Sequence, residues 1–430
     1  MPILRRFNPA YLVETGWLAA GFVSKLLIQM GTLYYLTKTL QVEGSGTFFA
    51  VTGLLACLVP FVQLGNYDLT VRQIARKEDP QTVAGRAMRS SIAAFFVLIP
   101  VLILLRVLFA KDVGWTAFFM IATGELLVLR VMSNVQAVAT GFRLHYVVAV
   151  SDFLTGLSRF IAVFACAKMN AGIDAVLIAY SFTAIPPAVV AYAWMSRRIG
   201  TPRWRGGKLF EDIADHRRMV VAWFAEMASA QGDKPLLKAL STAGDVGIYG
   251  TASKLFAVVI VPVDLLTQVF RPRVGSAYAE SEAAGQRYAR TMTIALVGLG
   301  VMAGAGLFLV AWLLPIVAPG LIPKEFADAR TALLYLSAVP ALYGLQRANV
   351  IGSIARGATG AYATATLVSA VIGLGTLALT APAYGWRGAC LAYGLYVLTS
   401  AIATGVLARR HPPTQPAPVE EIADVGLVAA

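Results

Sequence analysis

Several ionisable side chains lie inside apolar stretches of this chain, where a charge is costly unless it faces protein or a water-filled cavity. In the stretch near Tyr11–Tyr35, Glu14, Gly21, Lys25 and Thr32 recur at roughly helical spacing, with Gln29 nearby. They form one polar stripe about four turns long. In the stretch near Met219–Leu240, Glu226 and Asp233 share a face, and Gln231, Lys234 and Lys238 lie on an adjoining one. Asp152 and Arg159 share a face of a third stretch. Lys254, Arg330 and Arg347 add positive charge in the second half, Lys254 and Arg330 within snorkelling reach of an interface. Such groups in a low-dielectric cavity can hold an anionic ligand. The candidate binding residues are Lys25, Gln29, Arg159, Gln231, Lys234, Lys238 and Arg347. For Glu14, Asp152, Glu226 and Asp233 two readings stand open: uptake of H+ or Na+, or counter-charge to the cations. Asp152 with Arg159, and Asp233 with Lys234 or Lys238, could equally be ion pairs that hold helices together.

The elements that must position these residues are membrane helices. The chain has 430 residues, 58% of them hydrophobic and only 14% charged, with a mean hydropathy of +0.69. A soluble protein carries about a quarter charged residues. Twelve apolar spans are expected, near Tyr11–Tyr35, Gly46–Leu64, Met88–Phe109, Trp115–Val135, Tyr146–Ala167, Ala175–Trp194, Met219–Leu240, Tyr249–Phe270, Met292–Leu314, Ala332–Ile351, Ala361–Thr380 and Ala389–Leu407. The eighth is interrupted by Pro262 and Asp264 and the tenth by Pro340 and Arg347, which leaves ten spans as the alternative. Pro235 should bend or open the seventh. The fold class is therefore all-α integral membrane.

Loop charge alternates with these spans. Arg5 and Arg6, the group Arg72 to Arg89, Arg143, the group Arg197 to Arg218, the group Arg271 to Arg290, Arg356 and Arg410 all fall on one side. The other side holds Lys38, Lys111, Lys168, Lys324 and Arg387. The positive-inside rule makes the basic side cytoplasmic, with both termini there. The net charge of +13 follows largely from this asymmetry, and nucleic acid is not expected as a partner. Cys57, Cys166 and Cys390, and His145, His216 and His411, are scattered, so neither a metal site nor a disulfide framework is expected. No nucleotide-binding or nucleophile motif occurs, and no enzyme activity or cofactor is expected.

An internal repeat divides the chain. Leu36, Lys38, Leu40 and Gly44 align with Leu236, Lys238, Leu240 and Gly244. After one inserted residue, Gly46 and Phe48 align with Gly247 and Tyr249, and Arg72 with Arg273. Duplicated membrane transporters place their sites between the halves. The expected organisation is a six-helix lobe over 1–195, a linker over 196–218, a second six-helix lobe over 219–410, and a disordered Pro-rich, acidic tail over 411–430.

Two six-helix lobes, the run AQGDKPLLKALSTAGDVGIYGTASKL, the following FRPRVGSAYAE and the earlier LGNYDLTVRQIARKED together resemble the polysaccharide repeat-unit flippases. These belong to the multidrug/oligosaccharidyl-lipid/polysaccharide flippase superfamily. The residues that carry the resemblance are Asp233, Lys234, Gly247 and Tyr249, together with the Gly and Arg residues after the second span. The resemblance implies a V of two lobes around a central cavity and alternating access. It implies transfer of undecaprenyl-pyrophosphate-linked sugar repeat units to the periplasmic leaflet of a bacterial inner membrane. Membrane lipids and other polysaccharide assembly proteins are the further partners it suggests. A multidrug antiporter of the same superfamily would want an acidic lumen for cationic drugs, against the excess of Lys and Arg here. A membrane polymerase or ligase would want a large periplasmic loop, and the longest here is APGLIPKEFAD. A flippase of peptidoglycan precursors usually has two further helices.

Overall fold

The computed structural model describes residues 9–410 apart from Arg76, Arg143, 205–212 and 318–323. A number of side chains inside the helices, Glu14 and Lys25 among them, also lie outside the described residues, as does the expected tail over 411–430.

The first two spans form α1 (Pro9–Gln63), two helical arms that meet at Gln41, whose φ of 55° cannot continue a helix. A short amphipathic α2 (Asn66–Ala75) leads to the third span, α3 (Pro80–Val97) and α4 (Ile99–Phe109), bent by 48° between them. Pro100 in the first turn of α4 supplies no N–H to the turn before it, which localises that bend. The fourth span runs from α5 (Trp115–Ala122) through a π-helical turn (Thr123–Val128) into α6 (Leu129–Gly141). Then come α7 (His145–Lys168) and the sixth span, α8 (Ile173–Phe182) with α9 (Ile185–Arg198).

The second half repeats the plan. Its first span is α10 (Ile213–Ala230) and α11 (Asp233–Leu240), broken at Gln231 and Gly232 just before Pro235, as the position of that proline predicts. Next are α12 (Ala243–Glu280) and α13 (Glu282–Val317). The tenth span is α14 (Ala327–Leu336) and α15 (Val339–Ala355), broken ahead of Pro340. The chain ends in α16 (Thr359–Tyr384) and α17 (Trp386–Arg410). The expected interruption of the eighth span is absent: α12 passes Pro262 and Asp264 without a break. A proline removes one backbone donor, a loss that packed neighbouring helices tolerate in a membrane bundle.

Among the described residues, eight helical stretches, α5–α6 and α8–α9 each counted as one, are long and apolar enough to cross a bilayer, and the bent α3–α4 pair makes nine. The broken pairs α10–α11 and α14–α15, and the first arm of α1, complete the twelve-helix, two-lobe architecture.

The lobes meet along a seam between the second arm of α1 and α10–α12. Gly46, Gly53, Cys57 and Phe61 recur on one helical face of α1. A Cβ at Gly46 would lie 1.7 Å from the Ala243 carbonyl oxygen, and one at Gly53 2.5 Å from that of Gln231. Cys57 Sγ donates to the Met227 carbonyl at 3.6 Å, and the rings of Phe61 and Phe224 are 4.9 Å apart. Glycines therefore let two backbones touch at the arginine-poor end of the seam. The seam is symmetric in sequence. A Cβ at Gly247, the repeat partner of Gly46, would lie 2.2 Å from the Val42 carbonyl oxygen, so the two copies of the repeat pack against each other.

Inside the first lobe, the space between α2, α3 and α6 is closed by amides. Asn66 Nδ2 donates to the Ala87 carbonyl, Ser90 and Ser91, and Asn134 Nδ2 to Ala87 and Ser91. At the arginine-rich end, Gln81 Nε2 donates to the Ile199 carbonyl and Arg203 pairs with Asp79, which docks the start of the linker on α3.

Candidate functional site

Beside the seam, the first arm of α1 and α12 stand apart and leave a cavity of about 480 Å³. Gln29 and Thr32 reach it from α1, Glu125 from the π turn, Arg130, Ser133 and Gln136 from α6, Asp152 and Arg159 from α7, and Gln231 and Lys254 from the second half. A smaller compartment of about 180 Å³ lies within the second lobe. It is lined by Glu226, Gln231, Lys234, Lys254, Arg347 and a tyrosine cluster of Tyr249, Tyr343, Tyr393 and Tyr396. Gln231 and Lys254 face both spaces and mark where they join.

The break at Gln231 and Gly232 explains that placement. It turns the chain between α10 and α11, so Glu226 and Gln231 face the interior while Asp233 starts a new helix behind them. The π turn does the same in the fourth span. An inserted residue widens the helix there, and such bulges gather at functional sites. Here the turn presents Glu125 to the Arg159 guanidinium, an ion pair whose arginine also lies over the Tyr180 ring at 4.5 Å. Arg130 Nε donates to the Glu125 carbonyl at 3.3 Å, so both cations gather on one residue.

Glu125 and Arg130 did not stand out in the sequence, although both interrupt the fourth apolar run; that interruption was the available signal. The expected pairing of Arg159 with Asp152 is replaced, at the arginine, by Glu125, because α7 packs beside the fourth span and a carboxylate there is nearer than one two turns along α7 itself. Asp152 accepts from Gln136 Nε2 at 3.1 Å.

In the second lobe, Arg347 Nη1 lies 2.9 Å from Glu226 Oε1, and its Nε lies 3.5 Å from Asp264 and donates to the Tyr343 hydroxyl at 2.7 Å. The hydroxyls of Tyr362 and Tyr343 donate to Glu226 and Asp264 at 3.0 and 2.8 Å. Arg347 and its two carboxylates thus form one cross-linked unit across α10, α12, α15 and α16.

Asp233 and Lys234 form a buried pair at 3.1 Å behind the smaller compartment. Asp233 Oδ2 also accepts from the Tyr249 hydroxyl at 2.5 Å, and Lys234 Nζ donates to the Ala230 carbonyl at 3.0 Å. Lys234 reaches the compartment wall; Asp233 does not. Lys238 lies apart from both spaces. Its Nζ is 2.6 Å from Oδ2 of Asp112, in the loop between α4 and α5, and therefore joins the two lobes at the arginine-poor end. Of the candidates, Gln29, Asp152, Arg159, Glu226, Gln231, Lys234 and Arg347 line the two spaces. The side chains of Glu14 and Lys25 lie outside the described residues.

Lys254 is a correction. Its snorkelling to an interface was open from the sequence, but it projects into the junction of the two spaces. Among the described residues it has no carboxylate within ion-pairing distance, whereas Arg159, Lys234 and Arg347 each have one. Arg330 instead donates to the Ala311 carbonyl at 2.8 Å, away from the cavity. Among the described residues the walls carry five cations (Arg130, Arg159, Lys234, Lys254, Arg347) and three carboxylates (Glu125, Asp152, Glu226), and Asp233 and Asp264 pair with Lys234 and Arg347 beside them.

Two helical lobes around a charged space make a multi-pass membrane protein, and solved structures share the fold. An inward-facing multidrug resistance MATE family transporter of the MOP superfamily is 14% identical, over 90% of this chain and 94% of that one, with a TM-score of 0.70. The lipid II flippase MurJ, in an inward closed conformation, is 11% identical over 94% and 88%, with a TM-score of 0.70. A MOP superfamily transporter from Pyrococcus furiosus, described as having a binding pocket of reversed polarity, is 15% identical over 92% and 95%, at 0.67. No curated protein sequence matches the chain significantly. The model of one family, polysaccharide biosynthesis protein, matches residues 12–276, and the chain belongs to that family.

Proposed function

We propose that this protein moves a lipid-linked oligosaccharide, carried on a polyprenyl diphosphate, from the cytoplasmic to the periplasmic leaflet of a bacterial inner membrane. The observation that carries this reading is Lys254. Arg159, Lys234 and Arg347 each have a carboxylate partner, while Lys254, at the junction of the two spaces, has none among the described residues. An ammonium with no counter-charge is stabilised when an anion arrives, and a diphosphate or acidic sugar supplies one. Gln29, Gln136 and Gln231 offer amides to sugar hydroxyls in the same space, while the polyprenyl chain stays in lipid beside the gap between α1 and α12. Rocking of the lobes about the seam would then expose the head group to the other side. The family to which the chain belongs, and a fold shared with MurJ, support a flippase. Arg130 and Lys254, two cavity cations with no ion-pair partner among the described residues, favour an anionic cargo over a cationic drug.

The test is transfer of a fluorescent lipid-linked oligosaccharide in proteoliposomes, with binding measured on the same preparations. Lys254→Gln should weaken binding about tenfold or more, the effect of losing a hydrogen bond to a charged group, while protein abundance is kept. Lys254→Arg should retain most of it. Unchanged binding in Lys254→Gln, or transport of organic cations in place of the sugar lipid, would overturn the assignment.

A further inference from the structure

A third space, of about 800 Å³, lies inside the second lobe at the arginine-rich end and shares no lining residue with the other two. It sits among the end of α12, the start of α13 and the ends of α15 and α17. We infer that this groove binds the head group and upper acyl chain of an anionic glycerophospholipid of the surrounding bilayer.

Three observations lead there. The first is its chemistry, which changes along its length. Arg290 and Arg356 stand on its polar side, and Arg356 is held in place by the Tyr278 hydroxyl at 3.0 Å and Glu282 at 3.4 Å. Glu282 offsets one of the two arginines, and the exposed Arg290 has no carboxylate among the described residues, so the polar side is cationic on balance. On the other side, Ile294 is 66% exposed and Ile402 56% exposed. Apolar side chains this open belong against acyl chains, and basic pockets between transmembrane helices on the cytoplasmic side take lipid phosphates. A soluble anion would leave those isoleucines unmatched, and a neutral lipid would leave Arg290 unmatched.

The second observation is the contrast between the lobes. In the first lobe the corresponding space, among α2, α3 and α6, is filled by the Asn66 and Asn134 amides and their serines. Side chains bridge these helices there, whereas the groove in the second lobe is open. The third is Gly352, whose position would leave an added Cβ with nothing within 4 Å, although α15 is otherwise well packed. The void reaches the backbone.

The test uses the full chain in detergent, titrated separately with dioleoyl phosphatidylglycerol and dioleoyl phosphatidylcholine and read by native mass spectrometry. The phosphatidylglycerol should bind more tightly. Arg290→Gln should weaken it about fivefold, as expected for one basic residue at a lipid surface, with phosphatidylcholine unaffected. Gly352→Leu should fill the groove and weaken both. Arg290 is exposed, so its variant keeps the test open if the glycine variant folds poorly. Equal binding of the two lipids would overturn the inference. So would unchanged phosphatidylglycerol binding in Arg290→Gln, or full displacement of the lipid by millimolar inorganic phosphate. None of these results bears on the central cavity, whose residues are untouched.

Discussion

Lys238 Nζ in the second lobe lies 2.6 Å from Oδ2 of Asp112 in the first, and the Thr47 hydroxyl donates to the same oxygen at 3.0 Å. This three-residue bridge caps the end of the seam where Gly46 meets Ala243. Burial opposes ionisation of Asp112, but Lys238 and Thr47 outweigh it and hold the carboxyl below its ordinary value of 3.8. Relative to a state with these lobes apart, a depressed acid stabilises the closed end fully above the ordinary value. That contribution is lost as pH falls through the depressed one. Half of Asp112 is exposed, so the contribution is discounted to at most about 1 kcal/mol. The expected result is that Ser45→Cys, at a fully buried position two residues before Thr47 in α1, labels up to about fivefold faster when Asp112 becomes Asn. The increase should hold from pH 5 to pH 8. Equal labelling rates would show that the bridge does not restrain this end.

A second prediction concerns the glycine contact beneath that bridge. A methyl group at Gly46 would overlap the Ala243 carbonyl oxygen, 1.7 Å away, and neither backbone is a flexible side-chain end that can step aside. Gly46→Ala should therefore force the lobes apart there and cost about 1–3 kcal/mol, the range of core overpacking. Thermal unfolding in detergent should show a clear drop. Gly298→Ala in α13, with nothing within 4 Å of the added carbon, should be neutral or slightly stabilising. A Gly46→Ala protein as stable as the parent would mean that the seam is looser than its geometry.

These two contacts also show what a sequence carries. The repeat of Gly46 in Gly247 was visible as spacing, and the twelve apolar runs gave the spans. That the two copies of the repeat touch each other was not visible, because contact between helices two hundred positions apart leaves no local pattern. The same holds for Arg159. Helical periodicity placed Asp152 on its face, but Glu125, on a neighbouring helix and turned inward by a π turn, is the residue that pairs with it. Lys254 was legible in depth but not in direction, since α12 runs on through Pro262 and fixes which side faces the cavity. The break before Asp233 was foreseen from Pro235; that it turns Gln231 toward both spaces was not.

The orientation of the chain has its own check. Arginines between α9 and α10, at the end of α12 and at the start of α13 should place that end in the cytoplasm. Cysteines introduced at Thr201 and Thr242, both at exposed ends of helices, should react with an impermeant thiol reagent from opposite sides, Thr242 from outside the cell. Reaction of both from the same side would invalidate the assignment.

Arg347 should matter more for folding than either acid it holds. Replacing it with Met leaves Glu226 and Asp264 facing each other with no cation among the described groups between them. Replacing Glu226 with Gln leaves Arg347 with Asp264. Loss of one partner from a buried pair costs about 3–5 kcal/mol. Arg347→Met should then lower the unfolding temperature and the yield more than Glu226→Gln, and adding Glu226→Gln to Arg347→Met should recover part of the loss. A strictly additive double variant would show that the three groups do not act as one unit.

The last prediction concerns Asp233. It could act as a fixed counter-ion or as an acid that gains and loses a proton during transport. The geometry favours the first. One oxygen is 3.1 Å from Lys234 Nζ and the other accepts from the Tyr249 hydroxyl, and the carboxylate does not line either compartment. An acid that exchanges protons with each cycle needs a wet path, and this one is enclosed by Lys234, Tyr249 and helix backbone. A structural role predicts that Asp233→Asn, by stranding a buried ammonium, lowers transfer by a similar factor at every imposed pH gradient. It also predicts that Lys234→Met in the same chain partly restores both stability and transfer, because the stranded charge is gone. Tyr249→Phe should give a weaker form of the same defect, since it removes one donor and leaves the ion pair. An Asp233→Asn protein that transfers substrate at the normal rate but no longer responds to the gradient would reverse the assignment and make Asp233 the coupling acid.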